Sequence, residues 1–157
     1  MILWSYYQPA MPAIGAKRIL IIEDDTVTLR ALAQMVQNAG YLAVIAKDGA
    51  EAIKNFESDV PDLMLVDINL TGETFGQQLD GLGVIDWLNH NHPALPIKYI
   101  IVSCDDPEKY QGRAAAIGAL SFIRKPVEKD SLLAEIRRAI GDPLDPGEPG
   151  TTSPEPN

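Results

Sequence analysis

The sequence predicts an α/β fold of the doubly wound, three-layer kind, with a five-stranded parallel sheet and five helices. Short stretches too apolar for half-exposed strands alternate five times with stretches of helical periodicity. Acidic, hydroxyl or basic residues lie at the ends of several of these strands. In open α/β sheets ligands bind beyond the carboxyl ends of the strands. We therefore expect any functional site at that edge of the sheet.

The strands are predicted from apolar and β-branched runs. The run at residues 63–67 ends on Asp67 and is apolar enough to lie at the centre of the sheet. The first strand leads into Glu23 and Asp24, and the last one ends near Lys125. The five predicted strands cover residues 19–22, 41–46, 63–67, 99–102 and 120–123.

The helices are predicted from apolar spacing and from capping residues. Leu29, Leu32 and Val36 fall on one face of the first helix, and Gly40 follows as its stop. Asp48 and Asp130 are expected to cap the second and fifth helices. The remaining predicted bounds are a second helix that ends at 56, a third at 82–88, a fourth at 107–117 and a fifth that ends at 140.

Composition limits the classes of function. The 157 residues are enough for one core of ordinary size, and a formal net charge of −9 gives no basic surface for direct nucleic-acid binding. We expect no membrane association, because no apolar run has the length of a membrane span. The single cysteine, Cys104, makes no internal disulfide and fits a reducing compartment, so we expect a cytoplasmic protein.

Three segments lack a predicted helix or strand. We expect a flexible N-terminal extension at 1–16 and a disordered, acidic, proline-rich tail at 142–157, which leaves one domain at 17–141. The loop at 68–81 contains glycines at 72, 76 and 81 and is long for a compact domain. Because the tail also has the composition of a linker, a domain cut from a larger regulator stays open as an alternative.

Five residues at the strand ends predict a chemistry. Glu23, Asp24 and Asp67 would repel one another unless a cation lies among them, and carboxylate oxygens suit Mg²⁺. Lys125 and Ser103 would hold phosphoryl oxygens on the opposite side. Since a carboxylate can itself be the nucleophile, these residue types indicate phosphoryl transfer onto Asp67.

These motifs, in this order, resemble the receiver domain of response regulators in two-component signalling, in its single-domain form. The resemblance runs from about residue 17 to 141 and rests on the stretches 19–25, 62–70, 102–103 and 122–126. It implies a flavodoxin-like sheet with the strand order 2-1-3-4-5. It also implies a cis peptide bond between Lys125 and Pro126.

The resemblance assigns a role to each site residue. Asp67 is the expected phosphoacceptor, with Lys125 and Ser103 as the other catalytic residues. Ser103 and Phe122 are the expected switch pair. The expected Mg²⁺ ligands are Glu23, Asp24, Asp67 and the backbone carbonyl of Asn69, and no other cofactor is expected. Asp25 is expected at the start of the first helix, because the apolar strand leads directly into Glu23 and Asp24.

The implied function is that of a phosphorylation-dependent switch rather than an enzyme, with at most self-catalysed phosphotransfer and autodephosphorylation. The phosphoryl group would come from a histidine kinase or a histidine phosphotransfer protein. Phosphorylation would then change a surface that contacts a downstream protein, in a monomer or a phosphorylation-dependent dimer. The sequence identifies neither the kinase nor the target.

Two departures from the family pattern follow Asp67. Thr71 stands where the family usually has proline, and the loop is longer than usual, so we expect partner choice to depend on this loop. Two alternatives stay open. One is a pseudo-receiver scaffold without phosphorylation. The other is an Mg²⁺-dependent phosphohydrolase with an aspartyl-phosphate intermediate, echoed by the run from Asp67 to Thr71, although that run lacks the second aspartate of such enzymes.

Overall fold

The fold is a five-stranded parallel sheet with helices on both faces. The structure is a computed structural model and describes residues 14–144, so most of the predicted N-terminal extension and tail lies outside it. The sheet order is β2-β1-β3-β4-β5, as expected. The strands are β1 (Arg18–Ile22), β2 (Leu42–Ala46), β3 (Leu63–Val66), β4 (Tyr99–Ser103) and β5 (Ser121–Arg124). The helices are α1 (Thr26–Asn38), α2 (Gly49–Ser58), α3 (Gly81–Asn91), α4 (Pro107–Ala116) and α5 (Lys129–Ile140).

Alternation along the central strands creates two separate cores. In β1 the side chains of Ile19 and Ile21 face α1 and α5, while those of Leu20 and Ile22 face the opposite layer. All four residues of β3 are buried. The central strands are therefore apolar on both faces, which explains why their runs show no polar alternation.

Asp67 follows β3 instead of ending it, and α2 and α3 (Gly81–Asn91) are longer than predicted. Two further predictions are wrong for a clear physical reason. Tyr41 is not part of β2, because its backbone N–H donates to the carbonyl of Val36 and closes the end of α1 after Gly40, which has φ 100°. Asp130 does not cap α5, because Leu132 N already bonds to the carbonyl of Glu128. Asp130 instead lies in the first turn, where its charge suits the helix dipole.

The predicted starts of α1 and α2 are confirmed. Asp48 accepts a hydrogen bond from Glu51 N at the start of α2, and Asp25 accepts one from Thr28 N at the start of α1.

The two ends of the predicted domain meet at the opposite edge of the sheet, where Lys17 N donates to the carbonyl of Pro143 at 2.9 Å. The division of the chain at residues 17 and 141 stays a prediction.

The β3–α3 loop (residues 67–80) leaves the sheet at Asp67 and returns beside it. Gly81 N donates to the carbonyl of Ile68 at 2.9 Å, which joins the two ends of the loop. Its tip is a tight turn in which Thr74 pairs with Gln77, and Phe75 and Gly76 both have positive φ angles. The loop is therefore an ordered turn with its ends held together.

We predict that Gly81→Ala lowers the free energy of unfolding by about 2–3 kcal/mol, because its Cβ atom would overlap backbone. That atom would lie 2.0 Å from the carbonyl oxygen of Asp67, which the sheet holds in place. Urea denaturation measures the change. Gly112→Ala is the matched control, because a Cβ atom there meets nothing within 4 Å inside helix α4. It is expected to raise stability by about 0.5–1 kcal/mol. Equal effects of the two substitutions would contradict the packing argument.

Candidate functional site

Backbone hydrogen bonds bring the strand ends together at one edge of the sheet. Asp67 N donates to the carbonyl of Ile22 at 3.0 Å, which sets Asp67 beside the residues that follow β1. Lys125 N donates to the carbonyl of Ser103 at 2.9 Å, which does the same for β4 and β5. The parallel order of the strands therefore places the five predicted residues at this edge, as the sequence indicated.

Three carboxylates form the centre of the site. Carboxylate oxygens of Glu23, Asp24 and Asp67 lie within 4.8 Å of one another. Glu23 and Asp67 are 1% and 5% exposed, whereas Asp24 is partly exposed. Such close negative charge is unfavourable unless cations offset it. This donor set, made only of hard oxygen atoms, fits Mg²⁺ or a similar divalent cation.

Lys125 supplies one positive charge to this cluster. Its Nζ atom lies 2.5 Å from Oε2 of Glu23 and 3.3 Å from Oδ2 of Asp67. The peptide bond to Pro126 is cis, as expected. Burial lowers the pKa of Lys125, but the hydrogen bond that Lys125 donates to Glu23 and the charges of Asp67 and Glu23 outweigh it, so the pKa is raised. Lys125 is therefore an ammonium group at neutral pH, next to the oxygen that is expected to react.

Burial also acts on Glu23. It raises the pKa of Glu23, and the nearby charge of Asp67 acts in the same direction, against the hydrogen bond from Lys125. One oxygen of Glu23 accepts from Lys125 and the other accepts from Asp25 N at 3.1 Å. Both oxygens of this nearly inaccessible carboxylate thus have a partner.

The two predicted switch residues occupy neighbouring strands. Ser103 is fully buried at the end of β4, and its hydroxyl accepts a hydrogen bond from Asp105 N at 3.3 Å. Phe122 is half-buried on β5 and packs against the core beside α4. It also lines a cavity of about 290 Å³ with residues of α4 and the strand edge, Pro107, Gln111, Ala114, Ala115, Ala119 and Ser121.

Two residues of the β3–α3 loop make contacts that sequence reasoning missed. Asn69 N donates to Oδ1 of Asp67 at 3.2 Å, while its side chain donates to Oδ2 of Asp105 at 2.6 Å. That hydrogen bond lowers the pKa of Asp105. Thr71 donates to Oδ2 of Asp24 from its hydroxyl at 2.7 Å and from its backbone at 3.1 Å. The sequence signalled Thr71 only as a replacement for proline and gave no signal for Asp105.

Comparison with known proteins identifies the family. A family model described as the response regulator receiver domain matches residues 19–137. The chain belongs to this family. A receiver domain is the phosphorylation-dependent signalling part of a response regulator. Such domains typically have an acidic pocket, and this chain has the cluster of Glu23, Asp24 and Asp67.

Curated relatives of this receiver domain are longer proteins. Response regulator MprA from Mycobacterium ulcerans (strain Agy99) is 32% identical over 123 residues, which are 78% of this chain and 50% of MprA. The DNA-binding transcriptional regulator NtrC from Escherichia coli (strain K12) is 28% identical over 122 residues, which are 78% of this chain and 24% of NtrC. The chain thus spans a quarter to a half of the length of these relatives.

Solved structures confirm the fold. The chain is similar to a CheY-like response regulator receiver domain protein from Methanospirillum hungatei JF-1, with a TM-score of 0.69 and 28% identity over 80% of this chain and 94% of the other. It is also similar to the receiver domain of NtrX from Brucella abortus, with a TM-score of 0.66 and 29% identity over 78% of this chain and 97% of the other. Between residues 14 and 144, no helix has the length and apolar character needed to cross a membrane.

Proposed function

We propose that Asp67 accepts a phosphoryl group from a phosphohistidine of a histidine kinase or histidine phosphotransfer protein. One observation carries the proposal. The carboxylate of Asp67 lies 3.3 Å from the ammonium group of Lys125, and carboxylate oxygens of Glu23 and Asp24 lie within 4.8 Å of one of its oxygens. The ammonium group can hold a phosphoryl oxygen, and the carboxylates of Glu23, Asp24 and Asp67 can hold a divalent cation. A buried aspartate in such surroundings is suited to act as a nucleophile.

The transfer step follows from these positions. An oxygen of Asp67 attacks the phosphorus atom of the phosphohistidine, so that a P–O bond forms and the P–N bond breaks. The electron pair of the broken bond leaves with the imidazole, which takes up a proton from water. Lys125 stays protonated throughout, because its pKa is raised, and its ammonium group donates to the transferred phosphoryl group.

The proposed metal is Mg²⁺. Glu23, Asp24 and Asp67 would hold it through their carboxylates, and the backbone carbonyl of Asn69 is the proposed fourth protein ligand. Bound Mg²⁺ would offset the negative charge of the carboxylates and of the incoming phosphoryl group. The fold shields the carboxylate of Asp67 from water, since Asp67 is 5% exposed, and Asn69 N orients it through a hydrogen bond to Oδ1.

The proposed docking surface for the phosphodonor is an apolar groove between α1 and the segment after β5. The groove has a volume of about 240 Å³, and Lys125 forms part of its wall. Val27 lines it and is 77% exposed, so its side chain is accessible to a partner. A helix that carries the phosphohistidine would cover Val27 and bring its imidazole to the edge of the sheet where Asp67 lies.

The proposed output is a change around β4, β5 and α4. In the unphosphorylated arrangement the hydroxyl of Ser103 accepts from Asp105 N, and Phe122 lies beside a cavity. A phosphoryl group on Asp67 would offer the Ser103 hydroxyl a stronger, charged acceptor. The two packings then differ in population, and a downstream protein binds the one that phosphorylation favours. We place the reaction in the cytoplasm, where the single thiol of Cys104 stays reduced.

We expect acetyl phosphate with Mg²⁺ to add one phosphoryl group to the protein, measured by intact-mass analysis. The adduct should be removed by hydroxylamine, as an acyl phosphate is, and should map to Asp67 in peptides after borohydride reduction. Chelation of Mg²⁺ should strongly reduce its yield. Light scattering of the two forms distinguishes a monomer from a phosphorylation-dependent dimer.

Other results would favour other functions. No adduct from either acetyl phosphate or a phosphorylated phosphotransfer protein would favour a scaffold that works without phosphorylation. Rapid turnover of a free phosphomonoester such as p-nitrophenyl phosphate would favour a phosphohydrolase.

A further inference from the structure

Asp24 differs from the other two carboxylates of the acidic cluster in how it is held. Glu23 is fixed by Lys125 and by Asp25 N, and Asp67 is fixed by Lys125 and by Asn69 N. Among the side-chain hydrogen bonds found within residues 14–144, those to Asp24 come from Thr71 alone. Asp24 is also the most exposed of the three.

Thr71 donates two hydrogen bonds to a single oxygen of the Asp24 carboxylate. Its hydroxyl lies 2.7 Å and its backbone nitrogen 3.1 Å from the same atom, Oδ2 of Asp24. Two donors on one oxygen fix the torsion of the side chain and leave the lone pairs of the other oxygen free for a cation. Without these donors, repulsion from two buried neighbouring carboxylates favours a rotation of Asp24 into solvent.

We propose that Thr71 is a positioning residue of the divalent-cation site. It holds Asp24 in the acidic cluster before the cation arrives, so that less reorganisation accompanies binding. This inference rests on the proposed Mg²⁺ site. Hydrogen-bond partners that orient a metal ligand in this way contribute about 10-fold or more to metal affinity.

The test is calorimetric titration of the unphosphorylated full chain with Mg²⁺, without a phosphodonor. Thr71→Val removes the hydroxyl but keeps the shape and the backbone donor, and we expect its Kd for Mg²⁺ to rise about 10-fold. Thr71→Ser restores the hydroxyl and should bind within about 2-fold of the wild type. Thr28→Val is the matched control. The Thr28 hydroxyl makes the same kind of bond, at 2.6 Å, to the carboxylate of Asp25, which lies outside the cluster, so its Kd should not change.

The outcomes separate this inference from the function on which it rests. If Thr71→Val binds Mg²⁺ as tightly as the wild type, or more tightly, Thr71 does not position Asp24 and the inference is overturned. Loss of binding in Asp24→Asn would still support the cation site in that case. If the wild type binds no Mg²⁺, or if Asp24→Asn binds it equally well, the proposed cation site fails, and the role of Thr71 fails with it.

Discussion

Asp67→Asn is expected to abolish the phosphoryl adduct and to stabilise the cation-free protein. The amide is not a nucleophile toward phosphohistidine or acetyl phosphate, so intact-mass analysis should show only the unmodified chain. Removal of the charge relieves two repulsions, with Glu23 and Asp24, and forfeits one attraction, with Lys125. We expect a net gain of about 1–2 kcal/mol in the free energy of unfolding, from urea denaturation in EDTA. Mg²⁺ should reduce this gain, because it binds the wild type better.

Asp59→Asn is the matched control for this prediction. Asp59 follows α2, is largely exposed, and forms an ion pair with Arg18 at 3.0 Å, outside the acidic cluster. It should leave the phosphoryl adduct intact and change stability by less than about 0.5–1 kcal/mol, as for an exposed pair. An adduct of undiminished yield on the Asp67→Asn protein would place the phosphoacceptor elsewhere.

Lys125→Met is expected to lower both stability and the rate of phosphorylation. The substitution leaves two carboxylates, each less than 10% exposed, without their shared cation. We expect a loss of about 3 kcal/mol in the free energy of unfolding in EDTA, with partial recovery in Mg²⁺. The transferred phosphoryl group also loses a donor, so the rate of phosphorylation by acetyl phosphate should fall about 100-fold or more.

Two further variants separate charge from position. Lys125→Arg keeps the positive charge and should retain most of the stability, but the planar guanidinium should not restore the rate, because its shape differs from that of the ammonium group. Lys129→Met removes an exposed lysine at the start of α5 and should change neither quantity. If Lys125→Met were phosphorylated at the wild-type rate, Lys125 would have only a structural role.

Periodicity and strand-end chemistry were enough to predict the parallel sheet and the edge at which its polar strand ends meet. Asp67 and Lys125 lie far apart in the sequence, yet both follow strands of one parallel sheet, and parallel strands end at one edge. The resemblance then supplied the order of the strands. The contact of 3.3 Å between Lys125 Nζ and Asp67 Oδ2 is consistent with the predicted roles, although no sequence pattern encodes that distance.

Contacts between loops lay beyond prediction. Thr71 reaches Asp24, and Asn69 reaches Asp105, across gaps of 47 and 36 residues between irregular segments. Nothing in apolar spacing reports how such segments fold, because their conformation depends on local turns and on the sheet edge beneath them. The error at the start of α5 has a similar origin. Several polar residues in a row can begin a helix, and the backbone bond to Glu128 decides which one does.

The joined ends of the β3–α3 loop make it a natural insertion point. One hydrogen bond, from Gly81 N to the carbonyl of Ile68, closes the loop at its base. The conformational entropy of a loop closed in this way changes slowly with its length, by about 0.6 kcal/mol for each doubling. Additional residues between Phe75 and Gly76, both of them exposed, would lengthen the tip and leave the sheet and Asp67 in place. A peptide tag or a fluorescent reporter grafted there would lie beside α3, since the ring of Phe75 is 5.5 Å from that of Trp87, and would leave the strand ends uncovered.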